Sequence, residues 1–199
     1  MTQLLPFVLF AFVSSITPGP TNVLVLNNSI RHGFGATLPI IAGACAGAAG
    51  LVLLIGVGIG GWLIDHPNVQ IVMSWGGAIW LSWLAWKIAT KPNVIQLSSA
   101  RRSIGPLSAA SIQVINPKTW AMVLAVVGVF AGEGAGVSRY LVLAGVFLAV
   151  SLGCLAVWAA CGASAQRLFD SPRRARVLGW VLGLTLFGSA WSGLLGAYL

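Results

Sequence analysis

The sequence predicts an all-α polytopic membrane protein with six transmembrane helices in two inverted three-helix repeats. Three observations predict this fold class: a high apolar content, apolar runs long enough to cross a bilayer, and proline interruptions at matching places in the two halves. Of the 199 residues, 58% are hydrophobic and 7% are charged, and the mean hydropathy is +0.93. Because a soluble domain carries about 25% charged residues, this composition excludes a water-soluble globular protein.

Six apolar runs are separated by charged residues and turn formers. Each run approaches or exceeds the ~20 residues that a transmembrane helix needs. The predicted spans cover residues 4–30, 36–64, 69–87, 107–131, 140–163 and 177–198. The first run lacks a basic region and a cleavage box, so we interpret it as a retained helix. The chain is therefore predicted to form a single transmembrane transporter domain, 1–199, with repeat halves at about 1–99 and 100–199.

The basic residues predict the orientation in the membrane. Eleven Lys and Arg face three acids, which gives a net charge of +8. Nine of the basic residues follow the first, third and fifth spans, whereas Arg139 lies on the opposite side. Because cytoplasmic loops collect Lys and Arg, both termini are predicted to lie outside. The same rule accounts for the net charge without a nucleic-acid partner.

Two proline motifs interrupt the first and fourth spans. They are Thr17-Pro18-Gly19-Pro20-Thr21-Asn22 and Asn116-Pro117-Lys118, with Pro18 and Pro117 separated by 99 positions. Gly33 and Gly132 show the same offset, as do Gly35 and Gly134. Because each half has three spans, the second half enters the membrane from the opposite side. Interrupted helices in inverted repeats are typical of secondary transporters, whereas a kink that only shapes packing is the alternative.

The two motifs also predict a substrate site. Proline removes a backbone donor, and unpaired backbone at membrane depth is tolerated only inside protein or beside a wet cavity. Lys118 lies deep in an apolar run and is a functional candidate, with snorkelling as the alternative. Its ammonium and the freed amides suit a carboxylate, while Asn22, Asn116 and exposed carbonyls would take an amino group. The candidate substrate-binding residues are Thr17, Pro18, Gly19, Pro20, Thr21, Asn22, Asn116, Pro117 and Lys118.

Polar and small residues indicate which helix faces point into the bundle. Ser14, Thr17, Thr21 and Asn28 follow helical spacing and should share one inward face. Hydrogen bonding between helices would explain this stripe as well as substrate contact does. The small-residue string at 43–50 predicts close helix packing, with room for a ligand as the alternative.

Coupling and catalytic residues are harder to identify. The acids Asp65, Glu133 and Asp170 lie in loops, and Asp65 and Glu133 are candidates for proton coupling. No constellation joins the histidines to a nucleophile, and the cysteines at 45, 154 and 161 have neither metal nor disulfide spacing. We interpret the cysteines as core packing residues. We expect no enzymatic activity, no metal and no cofactor, while small-residue motifs leave a homodimer open.

Four stretches form a recognisable pattern: residues 16–22, residues 31–35 with the glycines at 43 and 47, residues 75–78, and residues 116–118. In this order they resemble the LysE/RhtB family of amino-acid exporters. Residues 81–90 and 166–169 are similar to the branch that exports cysteine and O-acetylserine. The resemblance implies proton-coupled efflux of small amino acids from the cytoplasm across a bacterial inner membrane.

One departure from the family pattern bears on the substrate. The LysE branch often carries an acid after the glycine string of the second helix, and residues 43–50 contain none. A small neutral substrate, such as cysteine, O-acetylserine or a threonine- or homoserine-like amino acid, is therefore expected rather than a cationic one. Export is expected to proceed as proton-coupled antiport by alternating access. The alternatives are a passive channel for small zwitterions and a non-catalytic membrane assembly subunit.

Overall fold

A computed structural model describes residues 4–59, 62, 65–90, 105–132, 134–165 and 172–195, and its secondary structure in these ranges is helical throughout. The helices are α1 (Leu4–Ile16), α2 (Pro20–Leu54), α3 (Pro67–Thr90), α4 (Pro106–Ile115), α5 (Pro117–Ala125), α6 (Val137–Ser164) and α7 (Pro172–Leu195). Single π-helical turns, Ile55–Ile59 and Val126–Phe130, extend α2 and α5. The all-α prediction is confirmed for these ranges.

Both predicted interruptions are present. Helix α1 ends at Ile16 and α2 begins at Pro20, while α4 ends at Ile115 and α5 begins at Pro117. The segments on either side of the second break are bent by 73°. Proline fits the first helical position because the amide that it lacks would be unpaired there in any case. The prolines therefore begin helices instead of kinking them.

Helix α2 is bent sharply at Gly33, which has φ 84° and ψ 171°. This positive φ favours glycine because glycine lacks a Cβ. Nine residues of straight helix would rise by roughly 13.5 Å, yet the Asn28 Nδ2 donates to Thr37 Oγ1 across 2.9 Å. The chain therefore turns back on itself at Gly33, within the break predicted between the first two spans.

Membrane-spanning capacity is clearest for two helical segments. By length and composition, Pro20–Gly58 and Val137–Ser164 are apolar enough to cross a bilayer, and the bent pair around Pro117 would make a third span. Helix Leu4–Ile16 is apolar but shorter. Six spans in two inverted repeats therefore stay a prediction.

The small-residue string on α2 packs tightly on α4. A Cβ at Gly47 would lie 2.7 Å from the Cα of Ala110, and a Cβ at Gly43 would overlap the backbone of Pro106. Such distances are shorter than van der Waals contact, so neither glycine can be replaced without moving α4. The packing prediction for this string is confirmed.

The cysteines divide into two groups. Cys45 and Cys154 are buried, as predicted, whereas Cys161 is exposed. The core assignment of Cys161 was wrong because an apolar run does not show which face of α6 meets its neighbours. On this face the side chain points away from the packed helices.

Candidate substrate-binding site

A cavity of about 40 Å³ lies where the two proline breaks meet. Since about 10–15 Å³ is needed to hold one water molecule, it has room for roughly three. Its walls come from the end of α1, Gly19 and the start of α2, the small-residue string on α2, Gln113 and Asn116, the start of α5 and the middle of α6. The cavity is thus lined mainly by the elements that the sequence motifs mark.

The structure brings the predicted site residues together. Six of the nine line the cavity: Gly19, Pro20, Thr21, Asn22, Asn116 and Lys118. Thr17 and Pro18 contact Lys118. Pro117 packs against α3, where a Cβ at Gly77 would lie 2.7 Å from the Pro117 Cβ. The predicted proximity of the two motifs is observed, and substrate binding by them stays a prediction.

The Lys118 ammonium is bonded to the first break. Its Nζ donates to the Thr17 carbonyl (2.5 Å), the Thr17 hydroxyl (3.0 Å) and the Pro18 carbonyl (3.3 Å). An ammonium has three donors, so all of them are used. The last carbonyls of a helix lack intrahelical partners and carry partial negative charge. Lys118 therefore neutralises the end of α1 across the interface between the two halves.

The remaining carbonyls at the end of α1 also have donors. Those donors are Thr17 Oγ1 for Ser14 (3.1 Å), Asn22 Nδ2 for Ser15 (2.8 Å) and Trp158 Nε1 for Ile16 (3.0 Å). With the two carbonyls that Lys118 holds, the whole chain of acceptors at this break is satisfied. This is what irregular backbone at membrane depth requires.

The start of α2 has free donors. Its N-cap residue, Gly19, provides no side-chain cap, and Pro20 has no amide hydrogen. The first backbone bond of the helix runs from the Val23 amide to the Gly19 carbonyl at 3.0 Å. The amides of Thr21 and Asn22 have no acceptor among the described residues. This partially positive helix end borders the cavity.

Gln113 links the two halves beside the cavity. Its Oε1 accepts hydrogen bonds from Thr119 Oγ1 (2.9 Å), Thr21 Oγ1 (3.2 Å) and Asn116 Nδ2 (3.4 Å). Its Nε2 donates to the Ala109 carbonyl at 3.1 Å, which determines the orientation of the amide. Gln113 is only 2% exposed. Sequence reasoning missed it, although an amide one turn before Asn116 in an apolar run was an available signal.

Asn116 caps the second break with its own side chain. Its Oδ1 accepts from the Lys118 backbone amide at 3.1 Å, and its Nδ2 donates to Thr21 Oγ1 at 3.1 Å. Both ends of the amide are therefore occupied in this conformation. At Asn22, by contrast, Nδ2 is bonded to the Ser15 carbonyl and Oδ1 has no described partner.

The polar stripe points inward, as predicted. Ser14 and Thr21 line the cavity, and Thr17 contacts Lys118. Asn28 is buried too, but its side chain bonds Thr37 at the bend of α2. The stripe therefore serves the site at one end and helix packing at the other.

Ser15 is a second cavity residue that sequence reasoning missed. It is 8% exposed, it lines the cavity, and its hydroxyl is the buried side-chain polar atom without a hydrogen-bond partner in the described part of the chain. It lies next to the polar stripe but not on it, so helical spacing gave no reason to select it.

The candidate coupling acids lie away from the cavity or beyond the described ranges. Asp65 is exposed in the turn before α3. Glu133 and Asp170 lie outside the described residues. No acid in the described ranges lines the cavity, and no group of His, Cys, Asp and Glu there could hold a metal ion. Proton coupling through Asp65 or Glu133 stays a prediction.

Apolar helices broken by proline, with a cavity where the two breaks meet, are the features of a helical membrane translocator. The chain belongs to the LysE family: the family model, LysE type translocator, matches residues 12–195. The chain is 31% identical, over 93% of its length, to the cysteine/O-acetylserine efflux proteins of Escherichia coli (strain K12) and Shigella sonnei (strain Ss046), covering 94% of each. No solved structure matches. The family resemblance seen in the motifs is confirmed.

Proposed function

We propose that the protein exports a small neutral amino acid, such as cysteine or O-acetylserine, from the cytoplasm across the bacterial inner membrane. The observation that carries this proposal is the meeting of the two proline breaks around one cavity, joined by the bonds from Lys118 to Thr17. Family membership and the printed names of the relatives support efflux of this substrate class. The nine candidate residues of the two motifs form the site.

The walls of the cavity favour a small, uncharged side chain. Beside the polar end they consist of Ala44, Cys45, Ala48, Phe147 and Leu155, together with other small or apolar groups. A cationic side chain would find no carboxylate among the described lining residues. Ligand pockets usually hold about 300–1,000 Å³, so a cavity of about 40 Å³ must widen to hold the substrate.

Alternating access between two inverted halves is the mechanism that we propose. Packing supports it, because α1 contacts α6 while α4 contacts α2, and α3 contacts α7. Exchanging the two halves converts the α1–α6 contact into the α4–α2 contact and leaves the α3–α7 contact unchanged. Gly33 and Gly132, at equal offset, both have φ 84°. The halves would rock against each other at the cavity, with six spans and both termini outside.

Proton antiport would drive export. Because the described cavity holds no acid, Asp65 and Glu133 are the candidates to carry the proton, at the outer ends of their spans. A homodimer is compatible with the small-residue motifs and is not needed to build the cavity.

Uptake into inside-out vesicles tests the proposed function. Labelled cysteine, O-acetylserine, threonine and lysine are offered with and without an imposed proton gradient, and vesicles lacking the protein serve as the control. We expect a small neutral compound to accumulate only with the gradient, and lysine to be excluded. Equilibration regardless of the gradient would indicate a passive channel, and no transport of any compound would favour an assembly subunit.

A further inference from the structure

The cavity contains polar groups that the protein itself does not use. Most of its polar side chains are occupied: Lys118 by the first break, and Gln113 and Asn116 by each other and their neighbours. The donors left unused at the end of the first break are the backbone amides of Thr21 and Asn22 and the hydroxyl of Ser15. An acceptor, Asn22 Oδ1, is left unused beside them.

The unpaired hydroxyl of Ser15 calls for a ligand. Nearly all buried polar side-chain atoms in proteins have a hydrogen-bond partner, and a serine in a helix can usually bond to a carbonyl in the preceding turn. Ser14 does this, since its hydroxyl contacts the Phe10 carbonyl at 2.5 Å. Ser15 is more than nine-tenths buried and makes no such bond. Its hydroxyl is therefore a buried and unused donor on a residue that lines the cavity.

Ser15 and the start of α2 are held side by side. The Asn22 side chain donates to the Ser15 carbonyl at 2.8 Å, which ties the last turn of α1 to the first turn of α2. Lys118 fixes the intervening residues through its bonds to Thr17 and Pro18. The residues that carry the hydroxyl and the two amides, Ser15, Thr21 and Asn22, therefore lie at one corner of the cavity, where a side-chain hydrogen bond joins Asn22 to Ser15.

We propose that the substrate carboxylate binds in this corner, accepting hydrogen bonds from the Thr21 and Asn22 amides and from the Ser15 hydroxyl. A carboxylate is an acceptor with about four lone-pair sites and no donors, which matches these three donors. The positive end of the helix dipole favours the same charge. Lys118 is then a positioning residue, which holds the corner together, and its ammonium does not bind the substrate directly. This assignment rests on the proposed function.

Transport kinetics with two serine variants test the assignment. The full chain in proteoliposomes is given labelled cysteine under reducing conditions, as the wild type, as Ser15→Ala and as the matched control Ser111→Ala, whose serine does not line the cavity. Loss of one hydrogen bond to a charged group should raise KM about tenfold in Ser15→Ala, with little change in the maximal rate. Ser111→Ala should stay within about twofold of wild type, because its exposed hydroxyl is bonded to the Leu107 carbonyl within its own helix.

Competition by an uncharged analogue adds a readout that a structural role would not change. Unlabelled cysteinamide, which has a neutral amide in place of the carboxylate, should compete about tenfold more weakly than cysteine in the wild type. The difference in competition between cysteine and cysteinamide should be smaller in Ser15→Ala. The thermal unfolding temperature of Ser15→Ala should not fall, because its hydroxyl has no partner to lose.

Three results would overturn the assignment while leaving the proposed function intact. They are an unchanged KM in Ser15→Ala, equal loss in both serine variants, and equal competition by cysteine and cysteinamide in the wild type. If Ser15→Ala fails to reach the membrane, Ser15→Gly replaces it, and the wild-type competition decides independently of both. Failure of the wild type to transport cysteine, O-acetylserine or threonine would instead overturn the proposed function.

Discussion

The break between α1 and α2 extends over Thr17, Pro18 and Gly19, whereas the break between α4 and α5 consists of Asn116 alone. At the first break, carbonyls are held by side chains from distant parts of the chain, including Lys118 and Trp158. At the second, Asn116 caps the following helix with its own side chain. One break is therefore maintained by tertiary contacts and the other by local geometry.

This difference assigns ligand binding to the first break and structural support to the second. A helix start that is already capped offers no free donors, and α5 is capped by Asn116. The start of α2 is uncapped and faces the cavity, so it can offer its amides to a ligand. Two breaks at equivalent positions thus take different parts, with the second supplying the side chain that stabilises the first.

Gly19 and Lys118 show the same asymmetry at a single pair of positions. They lie 99 positions apart, as Pro18 and Pro117 do. A Cβ at Gly19 would lie 2.7 Å from the Lys118 Cδ and 3.1 Å from its Nζ. The smallest residue in one half therefore leaves the space that a long side chain from the other half fills.

The largest effect is expected from Lys118→Ala. Loss of the ammonium removes the donor that the Thr17 and Pro18 carbonyls share, and a hydrogen bond to a charged group is worth about 1.5–3 kcal/mol. Vesicle uptake should be abolished although the protein still reaches the membrane. Lys87→Ala is the matched control, since the Lys87 Nζ only lies 3.7 Å above the Trp83 ring. Unimpaired uptake by Lys118→Ala would show that the first break does not depend on the second.

Gly19→Ala tests the same contact while keeping the charge. The backbone of Gly19 is extended, with φ −159°, so alanine is tolerated there and the added methyl acts by displacing Lys118. A displacement of about 1 Å can lower a rate a hundredfold, and we expect uptake to fall at least about tenfold with folding intact. Gly50→Ala, which meets no atom within 4 Å, should behave as wild type. Equal uptake by both variants would contradict the tight fit of Lys118.

Gln113→Leu examines the network that supports the second break. The donors of Thr21, Asn116 and Thr119 lose a buried acceptor, and each unsatisfied group costs about 1–3 kcal/mol. Some of them re-pair, so the free energy of unfolding in detergent should fall by about 2–4 kcal/mol. Ser111→Ala on the same helix removes an exposed hydroxyl bonded to the Leu107 carbonyl. If Ser111→Ala loses as much stability, the Gln113 network contributes no more to the free energy of unfolding than one exposed hydrogen bond does.

The smallest effect is expected from the cap at the second break. Asn116→Ala removes the side chain that accepts from the Lys118 amide and should lower the free energy of unfolding by about 1–2 kcal/mol. Asn116→Ser keeps a capping oxygen and should retain most of that stability. Thermal unfolding of the two variants in detergent measures the difference. Equal losses would mean that the second break, like the first, is maintained by contacts from distant parts of the chain.

Much of this arrangement follows from local properties of the sequence. Apolar run length, proline at a helix start and the polar motifs act within a few residues, so the helical class, both breaks and the family could be predicted. The proximity of the two motifs could also be predicted, because they occupy equivalent positions in the two halves. The six-span topology, the termini and the coupling acids rest on the same reasoning and stay predictions.

The tertiary structure decided which side chain reaches which partner. Lys118 contacts Thr17 across 101 positions, Gln113 connects both halves, and the Ser15 hydroxyl has no hydrogen-bond partner in the described part of the chain. Helices that are apolar on every side carry no periodic signal for their rotation, because lipid and protein interior accept the same side chains. Whether two side chains come within hydrogen-bond distance depends on the rotation of their helices. Only the packing of the bundle determines that rotation.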